Sequence, residues 1–158
     1  VTSMAVRKIL QYGDKALKTP CEKVEKIDKQ ILKLIKDMQD TLYNCDGIGL
    51  AAPQIGVLKR VILIDMRDDD FQPIILINPE IIEAEGKEIS IEGCLSYVGY
   101  EGEVERPKKV KVRGITSEGR IVEYTAEGLL ARAFCHEIDH LNGIMYIDRT
   151  QKVYKIED

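Results

Sequence analysis

The sequence predicts an α+β fold: antiparallel sheets packed around a central C-terminal helix that carries an HExxH motif, with one further helix towards the N-terminus. Three observations carry this expectation. Apolar residues recur at helical spacing in two stretches, one in the first third of the chain and one close to its end. Between them lie short β-rich runs separated by turn residues and too close together for crossover helices, so neighbouring strands should pair antiparallel. Hydrophobic residues are 44% and charged residues 32% of the 158, the composition of a folded, soluble chain.

The length suits one domain, and residues 4–158 are expected to form a single catalytic unit, with Val1-Thr2-Ser3 ahead of Met4 read as an expression remnant. A net charge of -4 and a pI near 5.3 give no overall attraction to nucleic acid. No apolar run approaches the ~18 residues of a membrane span and no signal peptide is visible, so a cytoplasmic protein without a membrane partner is expected. Cys21, Cys45, Cys94 and Cys135 form no CxxC pair, which fits reduced thiols, one of them available as a metal ligand.

Residues 5–25 are irregular, punctuated by Gly13 and Pro20, and read as an extended arm of low functional content. Asp28 is a candidate N-cap for a helix whose Ile31, Leu34, Ile35, Met38 and Leu42 share one face, and which should stop at 44–47. Gly47-Ile48-Gly49-Leu50-Ala51-Ala52-Pro53-Gln54 reads as a loop of small residues able to present backbone to a peptide. A phosphate loop is disfavoured there, because no Gly-Lys-Ser/Thr follows and the GxGxxG fingerprint is incomplete. Residues 60–65 and 74–78 read as buried strands joined by a loop with three consecutive aspartates. Residues 80–90, 103–106, 109–113 and 120–124 read as further strands, with turn signals at Glu85-Gly86, Glu101-Gly102 and Glu118-Gly119. The last helix is expected from Thr125 or Glu127 to Asn142, with Gly143 as its stop.

That helix holds the only two histidines, His136 and His140, with Glu137 directly after the first. Four residues apart on a helix, both imidazoles can reach one metal ion while the carboxylate stands beside them to take a proton from water. Counting back along the same face gives Ala133 and Leu129, the floor of an apolar hollow next to the ligands. Cys135 is one step of ~100° from His136 and should point away as a core residue. Glu92 and Asp139 read either as solvated acids or as groups that orient a ligand imidazole, one of them paired with Arg106. A catalytic site normally has three protein ligands. Tyr146 occupies the third-histidine position of HExxHxxGxxH and few acids follow His140, which leaves a cysteine thiolate as the strongest third ligand.

Three ordered segments, Gly47 to Gln54, Glu92-Gly93-Cys94-Leu95-Ser96 and His136-Glu137-Ile138-Asp139-His140, resemble the signature motifs of peptide deformylase. The similarity runs from about Met4 to Ile147 and includes Gly99 to Val104 and Arg106-Pro107. The resemblance implies a hydrolase that removes the formyl group from the N-terminal formylmethionine of nascent polypeptides and releases formate. It implies Cys94, His136 and His140 as ligands, Glu137 as general acid and base, and Gln54 with the Leu95 N–H as donors to the oxyanion. It implies that Ile48 and Gly49 pair with the substrate backbone as an added strand, and that the methionine side chain enters the hollow at Leu129 and Ala133. The implied ion is Fe²⁺, with Zn²⁺, Ni²⁺ or Co²⁺ as substitutes. Ribosome association stays open as a partner call, since the C-terminal helix by which some relatives dock is expected to be short or absent. Val98 stands where the family often has proline, and Cys135 where glutamine is common. The rival expectations are an HExxH metallopeptidase cleaving ordinary peptide bonds and a non-catalytic, metal-stabilised peptide-binding domain.

Overall fold

Two helices face opposite sides of one sheet, and the sequence shows why. Residues 6–150 and 152–156 are described by a computed structural model, and Val1-Thr2-Ser3 lies outside them. Helix α1 (Lys29–Tyr43) begins where the Asp28 carboxylate accepts the Ile31 N–H, a cap typically worth ~1 kcal/mol. Helix α2 (Gly128–Leu141) follows Glu127 directly and ends at Asn142, with Gly143 at φ 76° as the stop. A Cβ at Gly143 would also sit 2.6 Å from the Lys18 carbonyl, so this glycine answers to packing as well as to φ.

The larger sheet has the order β1 (Gly49–Ala51), β2 (Val61–Ile64), β3 (Ile74–Glu85), β6 (Lys109–Ile115), β7 (Ile121–Glu127), every pair antiparallel. In β2 the alternate side chains divide: Ile62 and Ile64 pack with Phe134, Ile138 and Leu141 of α2. Val61 and Leu63 pack with Leu34, Ile35 and Met38 of α1. A strand covered on both faces has no polar side, which is why residues 61–64 read as an unbroken apolar run. The smaller sheet, β4 (Glu88–Gly93), β5 (Tyr100–Arg106) and β8 (Val153–Lys155), closes over α2 through polar side chains. After the short turn at 146–148 the described residues form β8 rather than a helix.

Several expectations are corrected. The segment 47–54 is not all loop: it holds edge strand β1 and then a 3-10 turn, Ala52–Ile55. Residues 74–78 and 80–85 form one strand rather than two, because the chain carries Pro79 through an irregularity between Ile77 and Glu80. Asn78 there has φ 52°, and its side chain is held by Val24 on both amide atoms. Glu101-Gly102 is no turn but lies inside β5. The glycine is required because a Cβ would stand 2.7 Å from the Lys152 carbonyl beside β8. The arm contains a 3-10 turn at Lys15–Lys18.

Candidate active site

The ligand-type side chains arrive from two places, helix α2 and the turn that follows β4. His136 and His140 lie one turn apart on α2, their rings 5.0 Å apart edge to face. Cys94 follows β4 directly, in a turn closed by Tyr97 N–H donating to the Cys94 carbonyl. Cys94 Sγ and one nitrogen of each histidine all lie within 4.8 Å of one another, and Sγ is 3.4 Å from His140 Nε2. The Nδ1 of His136 is 2.8 Å from Glu92 Oε1, which directs its Nε2 away from that carboxylate. A cysteine sulfur and two imidazole nitrogens so close are a donor set for one ion. Glu137 Oε1 is buried beside them without a hydrogen-bond partner, as expected of a carboxylate facing a bound species. The residues fit a metal centre.

A continuous ionic cluster lies behind the ligands. Glu92 accepts two hydrogen bonds from Arg106, each 2.9 Å, and one from Arg132. Asp139 accepts from both Arg106 and Arg149, so the arginine expected to pair with one acid bridges two. Burial alone would raise the Glu92 carboxyl, but its bonds to Arg106 and His136 outweigh burial and hold it well below the usual range. Burial pushes the Glu137 carboxyl up to about 7. Burial likewise drives His140 well below the ordinary imidazole value, with His136 adding to the effect. His136 is held well above that value, since Glu137, Cys94 and Glu92 outweigh its burial.

Opposite the histidines, Gln54 Oε1 accepts the Ala51 N–H at 2.9 Å. That bond orients the amide, so Nε2 faces Ser96 Oγ at 3.0 Å and Cys94 Sγ at 3.7 Å. Gly49 touches the catalytic-type carboxylate: a Cβ there would be 2.5 Å from Glu137 Oε2. The Ile48 carbonyl accepts the Asp65 N–H. By the alternation of an antiparallel ladder, Gly49 therefore turns its own N–H and C=O away from β2.

These groups surround a groove of about 680 Å³, lined among others by Ile48, Gly49, Gln54, Leu95, Leu129 and Ala133. Every site residue expected from the sequence is therefore at this groove or directly behind it. Leu129 is corrected in one respect: it is 58% exposed and forms the rim, because the first turn of α2 lies at the surface, while Ala133 at 5% is the floor. Cys135 points into the core, where burial raises its thiol to about 11.

Sequence reasoning missed two supports. Arg132, four residues before His136, is buried and donates to Glu92, Val104 O and Glu88 O. A charged residue between the apolar neighbours of a core helix was its available signal. The arm, read as functionally idle, braces the site: Leu10 N–H donates to Gln54 O and Tyr12 N–H to Ser96 O.

Comparison with known proteins agrees with this geometry. A family model described as polypeptide deformylase matches residues 6–155. Peptide deformylase 1 of Clostridium acetobutylicum is 52% identical over 146 residues, 92% of this chain and 95% of that protein. The crystal structure of a peptide deformylase from Legionella pneumophila is similar with a TM-score of 0.90 and 44% identity, covering 93% of this chain and 87% of that one. The Thermotoga maritima peptide deformylase structure gives 0.87 and 40%, covering 93% and 99%.

Proposed function

Because the chain belongs to the polypeptide deformylase family, a family of metal-dependent hydrolases that take the formyl group from N-terminally formylated peptides, we propose how its own residues divide that work. The observation that carries the assignment is the convergence of Glu137, Gln54 Nε2 and the Cys94, His136, His140 set at the groove beside the edge of β1. Formate release from a formyl-Met peptide, with no cleavage at internal peptide bonds, is the test. Internal cleavage would support the HExxH peptidase instead.

In this reading Cys94, His136 and His140 hold the ion. When bound, a divalent ion supplies the Lewis acidity that activates water for attack. Glu137 accepts the proton as the water oxygen bonds to the formyl carbon. Gln54 Nε2 and the Leu95 N–H then donate to the oxygen that gathers negative charge. Glu137 passes its proton to the amide nitrogen as the C–N bond breaks, leaving formate and a free amino terminus. The substrate backbone lies along β1 and pairs with Ile48 and Gly49, and its first side chain rests between Leu129 and Ala133. Residues 4–158 act as one catalytic domain here, since the proposed roles are spread along the chain from Ile48 to His140. No helix among the described residues is long and apolar enough to cross a membrane, which suits the cytoplasmic setting we propose for nascent-chain substrates. Ribosome association is not part of this reading.

Two changes test the groove. Gln54→Ala should lower kcat by roughly 10²- to 10³-fold, with a smaller change in KM, because its bond strengthens as charge develops. A raised KM at unchanged kcat would make Gln54 a binding residue only. Ala133→Phe should fill the floor and lower kcat/KM for formyl-Met peptides by about 10- to 100-fold, the usual penalty for overpacking, while metal content is unchanged. Unaltered kcat/KM would move the side-chain pocket elsewhere.

We also propose Fe²⁺ as the resident ion, with Zn²⁺, Ni²⁺ or Co²⁺ as working substitutes. The likeness of the Cys94, His136 and His140 segments to the family's signature supports this. Anaerobic reconstitution with each ion should give the fastest turnover with Fe²⁺ and the shortest life in air, since Fe²⁺ would itself be open to oxidation by oxygen where Zn²⁺ is not, and Cys94 beside it opens on the groove. A zinc form equally fast and equally durable would overturn the choice.

A further inference from the structure

The N-terminal arm reaches the Cys94 sulfur through a single peptide unit. A trans peptide is planar, with its C=O and N–H pointing to opposite sides. In the Leu95–Ser96 unit the carbonyl points outward and accepts from Gln11 Nε2 at 2.9 Å. The N–H of the same unit points inward and donates to Cys94 Sγ at 3.4 Å. The amide of Gln11 has one satisfactory orientation, because its Nε2 also faces the Ile9 carbonyl at 3.3 Å and its Oε1 accepts the Val98 N–H at 3.3 Å. Reversed, it would set an oxygen against two carbonyls and an NH₂ against an N–H.

We propose that Gln11 is a positioning residue for Cys94: by holding the Leu95 carbonyl it fixes the rotation of the Leu95–Ser96 peptide and keeps the Ser96 N–H on the sulfur. The inference rests on Cys94 being a metal ligand, as proposed above. A donor to a ligating sulfur tunes the strength of that ligand and fixes its direction. A bond accepted by the carbonyl also polarises the peptide unit and strengthens the N–H at its other end. Gln11 is exposed and lies outside both apolar clusters, so it can act on the sulfur without supporting the core.

The test uses the full chain, metal-free and reduced, as parent, Gln11→Leu and Gln11→Glu. Each is titrated with Co²⁺ against a competing chelator while the thiolate-to-cobalt charge-transfer band is recorded. The glutamate keeps an acceptor for the Val98 N–H but has no donor for the Leu95 carbonyl. Both variants should bind Co²⁺ roughly 10-fold more weakly than the parent, with a displaced band, and with the Tm of the metal-free protein unchanged. Parental affinity and band in Gln11→Glu would overturn the proposal. So would a metal-free Tm that falls in step with the affinity, which would make Gln11 a brace of the fold alone. The readout is metal binding rather than turnover, so failure of the proposed chemistry is not mistaken for failure here; a parent that binds no Co²⁺ would overturn both.

Discussion

Replacing Glu137 by glutamine is expected to leave the metal bound and to lower kcat by roughly 10²- to 10⁴-fold, the usual share of a positioned proton acceptor. The amide preserves the shape of a side chain that fits against Gly49 with no room for a Cβ between them. It removes the one property the position supplies. Burial raises the Glu137 carboxyl to about 7, so near neutrality it can take a proton and give it back within one turnover. A glutamine does neither. Metal content measured by atomic emission beside formate release decides the matter: a variant that loses its metal would make Glu137 a ligand and overturn the proton-transfer assignment.

Arg106→Leu should destabilise the fold by about 3 kcal/mol, since removing one partner of a buried ionic cluster strands the charges it served. Arg106 is 4% exposed and bonds Glu92 twice and Asp139 once, joining β5 to β4 and to α2. Arg132 remains on Glu92 and Arg149 on Asp139, which keeps the loss at the lower end of the usual range. For a chain of this length the expected fall in Tm is on the order of 10 °C. Because Glu92 also orients His136, metal affinity should fall in the same variant. Thermal unfolding with Tm within ~2 °C of the parent would show that the cluster contributes orientation but little stability.

Both helices were legible because their signals are local. Asp28 caps α1, and a regular apolar face continues from Ile31 to Leu42. Strand β2 was legible for the opposite reason, since residues buried on two faces are apolar without interruption. Strand β1 was not, because Gly49-Leu50-Ala51 has no β-branched residue and becomes a strand only by pairing with β2. Proline 79 and Gly102 misled in the same manner, each being placed by a neighbouring strand rather than by its own preferences. At the site, the helix spacing exposed His136, Glu137 and His140, and resemblance added Cys94 and Gln54. Gln11 carries no local pattern at all: its partner Leu95 lies 84 residues away.

If substrate lies along β1 as proposed, the brevity of that strand bears on what kind of chain can be processed. Past Gly49 the strand and the turn after it, from Leu50 to Ile55, are wholly buried, and the Ala51 N–H is already taken by Gln54. In the reading proposed above, a peptide laid along β1 would therefore meet buried backbone past Gly49. A chain interior has residues on both sides of any bond to be cut and nowhere to put those on the acyl side. A formyl group, with a single hydrogen there, has nothing to put. In that reading, selectivity for chain ends would need no recognition of the end itself and would follow from where a three-residue strand stops.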